Sequence, residues 1–393
     1  MAKTLFKGAT IIDGNGAAPF VGNLLVEGKS ILEVGANTTC DDAKIVDLSG
    51  KYIMPGMINA HAHIVLDGEL ADPFGQLEKE TDATAALRAT RTLKRALKSG
   101  VTFFRDMGCR NYIDIDLRNA RNQGLIEGPE FIVAGKVVTM TGGHIWKIGR
   151  EADGPNEVRK AAREQLKAGV DFIKIVATGG VLTMGSIPGA PQLSVEEMSA
   201  AVEEAKKVGK KTAAHCIGME GIHNAVKAGI DSIEHGFYLN DEIIELMIKK
   251  GTYLVPTINA IHAIRKGGVE AGIPKDACDK NQKNIAPSRE SFLMAYKAGV
   301  KVAMGPDSGT PLNGHMACGE EVRLFVEYGV KPMEAIIFAT KNAADLLGIS
   351  GRYGTLENGK AADFLVLGAN PIEDIEALQN KLECVYKLGE LVE

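Results

Sequence analysis

The stretch Met57-Ile58-Asn59-Ala60-His61-Ala62-His63 closes an apolar, β-like run with two histidines on alternate positions. In a strand such residues share a face, about 6.8 Å apart along the chain, so two imidazoles can converge on one metal ion from a rigid platform. A bare His-x-His is equally compatible with two packed strand histidines. Lys174 is the second signal. It lies within Phe172-Ile173-Lys174-Ile175-Val176, a run too apolar to be half exposed. An ammonium buried there pairs with a carboxylate or loses its proton. A neutral amine can react with CO2 to give a carbamate, an anion able to bridge two metals. His215 ends Lys211-Thr212-Ala213-Ala214-His215, His235 ends Asp231-Ser232-Ile233-Glu234-His235, and Asp307 follows Val302-Ala303-Met304-Gly305-Pro306. One strand-end histidine or aspartate alone signifies little. Five strand ends with nitrogen or oxygen donors, all at one mouth, point to a metal-assisted active site.

The elements that must position these residues are marked by punctuation. Lys98-Ser99-Gly100, Lys167-Ala168-Gly169, Lys207-Val208-Gly209, Lys227-Ala228-Gly229, Lys249-Lys250-Gly251 and Lys297-Ala298-Gly299 each end a helix-like stretch and precede a β-rich run. A cation in the last turn faces the negative end of the helix, and glycine takes the left-handed cap that stops it. Ser194 with Glu197 predicts a capping box before Met198, Val202 and Ala205; Asn240 is positioned to cap Glu242–Lys250, with Ile243, Ile244 and Met247 on one face. Helix-then-strand units repeated this way give parallel strands with right-handed crossovers. Strands near 57–63 and 131–134 bring the predicted number to about eight, enough to close a TIM-like (β/α)8 barrel over residues 57–354. A doubly wound open sheet competes, but no G-x-G-x-x-G or Walker loop follows any strand. Residues 1–56 alternate short β runs with glycine turns, and residues 355–393 resume that style. Together they predict a small β-sandwich domain built from both termini.

The bulk properties bound the function. The chain has 393 residues, 45% hydrophobic and 24% charged, with a formal net charge of −5. No basic patch is present to neutralise phosphates, so nucleic acid is not an expected partner. No apolar run approaches the roughly 18 residues that span a bilayer. The N-terminal residues do not read as a signal peptide, which makes the cytoplasm the expected location. The six cysteines stand singly with no Cys-x-x-Cys pair, which argues against a thiolate zinc site or a redox motif and favours reduced thiols. A homo-oligomer is compatible with the sequence but not legible in it.

In order and strand context, His61-Ala62-His63, Lys174, His215, His235 and Asp307 resemble the binuclear-metal amidohydrolase superfamily. The resemblance runs nearly end to end, from Lys51-Tyr52-Ile53-Met54-Pro55-Gly56 to Gly359-Lys360-Ala361-Ala362-Asp363. Within the superfamily the chain looks most like the imidazolonepropionase-related branch that holds prolidases (Xaa-Pro dipeptidases) and related carboxypeptidases. The shared marks are Thr141-Gly142-Gly143-His144, Ile173-Lys174-Ile175-Val176-Ala177-Thr178-Gly179-Gly180 and Glu234-His235-Gly236. The resemblance implies two divalent ions, one held by His61, His63 and Asp307, the other by His215 and His235, with carboxylated Lys174 bridging. Zinc suits such donors, as do manganese, iron and cobalt. It further implies a bridging hydroxide as nucleophile and Asp307 as general base, then general acid. The expected substrate is a small amide, a dipeptide or an N-acyl amino acid.

His144 and Tyr238 each follow a strand on the same rim and are candidates to polarise the carbonyl or bind substrate. His315 is a weaker candidate for the pocket wall. His223 and His262 read as surface or packing residues, and Arg105-Asp106 as an ion pair at the mouth. Two other activities compete: hydrolysis of a cyclic amide, as by imidazolonepropionase, and deamination of a heterocycle. Single-metal deaminases of the superfamily place a carboxylate shortly after the fifth-strand histidine. In His215-Cys216-Ile217-Gly218-Met219-Glu220 the acid stands farther away, which together with Lys174 favours two metals. A non-catalytic relative on the same fold should have lost ligands, and this chain keeps all six.

Overall fold

The computed structural model describes residues 2–393. Five strands open the chain: β1 (Lys3–Ile11), β2 (Phe20–Glu27), β3 (Ser30–Gly35), β4 (Lys44–Asp47) and β5 (Tyr52–Pro55). Three close it: β15 (Phe364–Leu367), β16 (Leu382–Lys387) and β17 (Glu390–Leu391). All eight form one sheet in the order β17-β16-β15-β5-β1-β2-β3, with β4 branching from β1. Alternation on the strands turns Phe6, Ile11, Leu24, Val26, Phe364 and Val366 into a shared apolar interior. There the Phe6 ring lies 4.9 Å from Phe364 and 4.8 Å from Tyr386, so residues from opposite chain ends pack edge to face.

Between these segments runs the barrel: β6 (Met57–Ala62), β7 (Val101–Asp106), β8 (Glu130–Val133), β9 (Val137–Thr139), β10 (Gly149–Glu151), β11 (Phe172–Val176), β12 (Lys211–Cys216), β13 (Ser232–His235) and β14 (Tyr253–Val255). Parallel ladders join β6-β7-β8 and β9-β11-β12-β13-β14. Asp171 N donates to Val133 O at 2.9 Å and so carries the wall from β8 to β11. The last stave is the short extended segment around Val302. It bridges Leu254 on one side, while Ala60 N reaches Met304 O at 2.9 Å on the other. A parallel bridge between Ala62 and Ser308 closes the seam.

The intervening helices form as their spacing predicts. In Gly154–Ala168 the buried positions Val158, Ala161, Ala162 and Gln165 make one stripe. All six predicted stop glycines take positive φ, from 67° at Gly209 to 96° at Gly169. Ser194 and Glu197 close the capping box, and Asn240 accepts from Ile243 N at 2.9 Å to start Asp241–Lys250. Buried Lys387 of β16 pairs with Asp363 and with Glu130 of β8 (2.9 Å), fastening the small domain to the barrel floor. All six cysteines are free thiols. Among the described residues no helix is long and apolar enough to cross a membrane.

Candidate metal centre

The C-terminal ends of the staves bring the sequence-predicted donors into one buried cluster. His61 lies in the last turn of β6 and His63 just beyond it; Asp307 follows the closing stave, across the seam. His61 Nε2 and His63 Nε2 lie 3.3 Å and 3.7 Å from Asp307 Oδ1, and one donor atom from each of the three falls within 4.8 Å of the others. Yet Asp307 Oδ1 is buried without a hydrogen-bond partner. Three donors aimed at one point, in contact distance but not hydrogen bonded, fit a shared cation better than one another.

The opposite edge of each ring is committed. His63 Nδ1 donates to Gly108 O at 3.0 Å, and His61 Nδ1 to Glu234 Oε2 at 2.8 Å, which leaves each Nε2 lone pair for a ligand. His235 Nδ1 lies 2.7 Å from Thr257 Oγ1. The His215 ring lies edge-on to His235 at 4.5 Å and tilted against His144 at 4.4 Å, and His215 Nε2 is a second buried atom without a partner. Burial is the main force holding these rings neutral: His63 is lowered to about 4, His235 to about 3 and His215 well below the usual imidazole range. Neutral imidazole is the state a metal requires. For Asp307 burial works the other way, but His61, His63 and His235 outweigh it and hold the carboxyl well below its ordinary range.

Lys174 stands in the middle of β11, 2% exposed. Burial lowers its amine to about 8, helped by Arg105, while Glu234 and Asp307 act on it only through space. The carboxylate expected as its alternative partner is committed elsewhere, because Glu234 binds Arg105 and His61. His235 and Asp307 both have left-handed backbone, at φ 74° and 59°. Such positions cost a non-glycine residue about 1–3 kcal/mol and concentrate at functional sites.

Several supporting residues escaped the sequence. Arg105 and Asp106 do not pair with each other: neighbours on a strand point to opposite faces, a constraint the dipeptide reading overlooked. Arg105 turns inward to Glu234 Oε1 (2.9 Å), Ser232 Oγ (3.0 Å) and Ala60 O (2.6 Å), while Asp106 accepts from Ile64 N and Gly108 N. The signal available was the alternation of Ser232 and Glu234 on β13, which turns both side chains to the barrel interior that Arg105 enters. The turn after Thr257 is held by Glu321, whose buried carboxyl accepts from Ile258 N (2.9 Å) and Asn259 N (2.6 Å) at the start of helix Ile258–Gly267. No local pattern marks that contact.

His144 reaches the cluster, with Nδ1 2.8 Å from Thr183 Oγ1 and burial lowering its imidazole to about 3. Tyr238 sits behind the wall, packed with Ile217, Phe237 and Ile261. His315 faces away and contacts Leu66 O at 3.0 Å. His262 meets the Tyr328 hydroxyl and His223 lies 3.6 Å from Glu242, as packing and surface residues do.

Above the cluster opens a cavity of about 630 Å³ counted to its mouth. His61, His63, His144, Lys174, His215, His235 and Asp307 form its polar floor, and Phe74, Val181, Leu182, Ile217, Phe237 and Ile264 its apolar sides. Apolar sides over a polar floor suit a small molecule held by apolar contact above a polar reaction point.

Known proteins resemble this chain over nearly its whole length. The profile of the amidohydrolase family matches residues 52–392. An ochratoxinase of Aspergillus niger is 31% identical over 99% of this chain and 86% of its own length. The crystal structure of a Xaa-Pro dipeptidase with methionine in its active site superposes with a TM-score of 0.91 at 34% identity, covering 99% of both chains. A prolidase complexed with N-methylphosphonate-L-proline gives 0.91 at 30% identity over the full length of both.

Proposed function

Because the chain belongs to the amidohydrolase family, a family of hydrolases acting on carbon–nitrogen bonds, we propose that it cleaves the amide bond of a small substrate, a dipeptide or an N-acyl amino acid, at a centre of two divalent metal ions. The observation that carries this reading is the convergence of His61 Nε2, His63 Nε2 and an otherwise partnerless Asp307 Oδ1, beside partnerless His215 Nε2. In this reading His61, His63 and Asp307 hold one ion and His215 and His235 the other. Lys174, once its neutral amine has added CO2 at Nζ and released a proton, would offer a carbamate oxygen as a further ligand. Bound ions of this kind acidify a water molecule and polarise a carbonyl oxygen, and zinc suits the nitrogen and oxygen donors.

The chain's own groups do the rest. Asp307 is ionised at neutral pH, so its carboxylate accepts the proton of the attacking water and returns it to the departing amine nitrogen. Glu234 and Gly108 O fix the tautomers of His61 and His63, which keeps both Nε2 atoms unprotonated. His144, held by Thr183, presents its ring to the carbonyl or to the substrate's polar end. Tyr238, which does not line the cavity, supports the apolar side from behind by packing against Ile217, Phe237 and Ile261. The names of the ochratoxinase, the Xaa-Pro dipeptidase and the prolidase support hydrolysis of an amide joined to an amino acid. Deamination is less well supported: Glu220, the nearest acid after His215 in sequence, is exposed on helix Met219–Ala228 and does not line the cavity.

The test is turnover of a panel of dipeptides and N-acyl amino acids by zinc-supplied protein, with metal content measured on the same sample. Hydrolysis together with about two ions per chain is expected; failure to turn over any member of the panel would refute the reading.

A further inference from the structure

A second cavity adjoins the first. Phe74, Ile145 and Leu182 line both, and the second continues past them to Trp146, Met184 and Pro274. It encloses about 990 Å³ open to solvent. Trp146 is 43% exposed there and Met184 86% exposed. Large apolar side chains held out in water around a concavity mark a place where an apolar surface is meant to arrive.

The polar groups of this wall are already occupied by each other. Lys147 pairs with Glu78, and Asp72 Oδ1 accepts from Gly75 N at 2.9 Å. Thr183 Oγ1 accepts from Ile145 N at 3.0 Å and lies 2.8 Å from His144 Nδ1. Lys147 and Glu78 offset each other and Asp72, which has no counter-ion, disfavours an anion here, whereas Phe74 and Trp146 offer ring surface. Thr183 also joins the two spaces, since it stands on the second wall and holds the imidazole facing the first.

We propose that the second cavity is a substrate subsite for a large neutral group, aromatic by preference, attached beside the scissile amide. This rests on the amide-hydrolysis reading and adds to it the class of substrate: amides with one bulky apolar arm rather than small polar dipeptides. The occupant is the substrate's own arm because Phe74, Ile145 and Leu182 form a boundary common to both spaces, so a group attached beside the reacting amide is the apolar surface nearest to the second.

The test uses the full chain supplied with zinc, and N-acetyl-L-alanine, N-benzoyl-L-alanine and N-acetyl-L-phenylalanine as substrates, so that an aromatic group is carried on either side of the amide. At least one aromatic substrate should exceed N-acetyl-L-alanine in kcat/KM by about tenfold or more. Trp146→Ala and Met184→Glu should each reduce that ratio at least about fivefold. Trp146 is the chain's single tryptophan, so its fluorescence gives a readout independent of turnover. N-benzenesulfonyl-L-alanine, which has no amide to cleave, should change the emission saturably, and N-methanesulfonyl-L-alanine much less. An aromatic advantage that survives both substitutions, or a benzenesulfonyl titration without response, overturns the subsite. So does an unresponsive tryptophan in a protein that sediments as a dimer, which would assign this surface to a second copy. If no amide is hydrolysed but the emission still responds selectively, the amide-hydrolysis reading fails and apolar recognition by the cavity stands.

Discussion

Glu234 Oε2 accepts from His61 Nδ1 at 2.8 Å while Glu234 Oε1 takes the Arg105 guanidinium at 2.9 Å, so one buried carboxylate ties β13 to both β6 and β7. Burial opposes its charge, but Arg105 and His61 overcome this and hold the carboxyl well below its usual range. The ring that faces Asp307 is therefore aimed by an ion pair beneath it.

Glu234→Gln keeps the shape and removes the charge. Zinc affinity should fall about 10–100-fold, as loss of a group orienting a metal-binding histidine does. Arg105 is left without its counter-ion, which should cost about 3–5 kcal/mol in urea unfolding. Unchanged zinc affinity in a calorimetric titration would show that His61 needs no such support.

Asp307→Asn tests proton transfer together with metal binding, so its zinc content is compared with that of the wild type. Asparagine tolerates the left-handed backbone at φ 59°, so the fold should survive. The turnover number should drop roughly 10²–10⁴-fold. Circular dichroism serves as the control, and a variant retaining more than a tenth of wild-type kcat would remove Asp307 from the proton pathway.

Lys174 can be examined without kinetics. Protein incubated with 13C-bicarbonate and zinc should give a carbonyl resonance of a carbamate, absent from Lys174→Met. Burying methionine in place of an amine should leave thermal stability equal or higher, since burial disfavours the ammonium and Glu234 and Asp307 offset this only through space. A wild-type spectrum identical to that of the variant would mean the amine stays unmodified.

The histidine cluster predicts acid sensitivity of the metal-free protein. His63 and His235 have folded values of about 4 and 3, below the ordinary imidazole value of about 6.5. Between those limits the unfolded chain binds more protons than the folded one. Stability is then fully present above about pH 6.5 and declines as pH falls toward 4. From pH 7 to 5 each ring should remove about 2 kcal/mol from the urea unfolding free energy. Saturating zinc should raise the midpoint at pH 7 and make it depend on metal concentration. A flat profile over this range would show that the rings are solvated.

Much of this was legible in the chain itself, and the reason is local. Each Lys-x-Gly stop reports its own helix end, and the His61, His215, His235 and Asp307 positions follow from where the strands run out. Arg105 was misread because its partner lies on β13, and only barrel closure decides which face of β7 looks inward. The hold of Glu321 on the turn at Thr257 depends on two segments about sixty residues apart, with no periodicity to announce it. The second cavity was equally hidden, since Trp146 opens a single 3-10 turn and Met184 lies in a loop, and no pattern fixes the course of either.

The seam of the barrel carries a final implication. His61 and His63 stand on the first stave and Asp307 just past the last, joined across the Ala62–Ser308 bridge. Nothing shorter than a chain extending through residue 307 can assemble that trio, so capture of an ion there becomes a gauge of whether the cylinder has shut. Most of the sequence must be threaded and paired before the two margins meet, a demand that slows formation. A cation gripping both margins would then act as a clasp, resisting the local parting of staves from which unravelling begins.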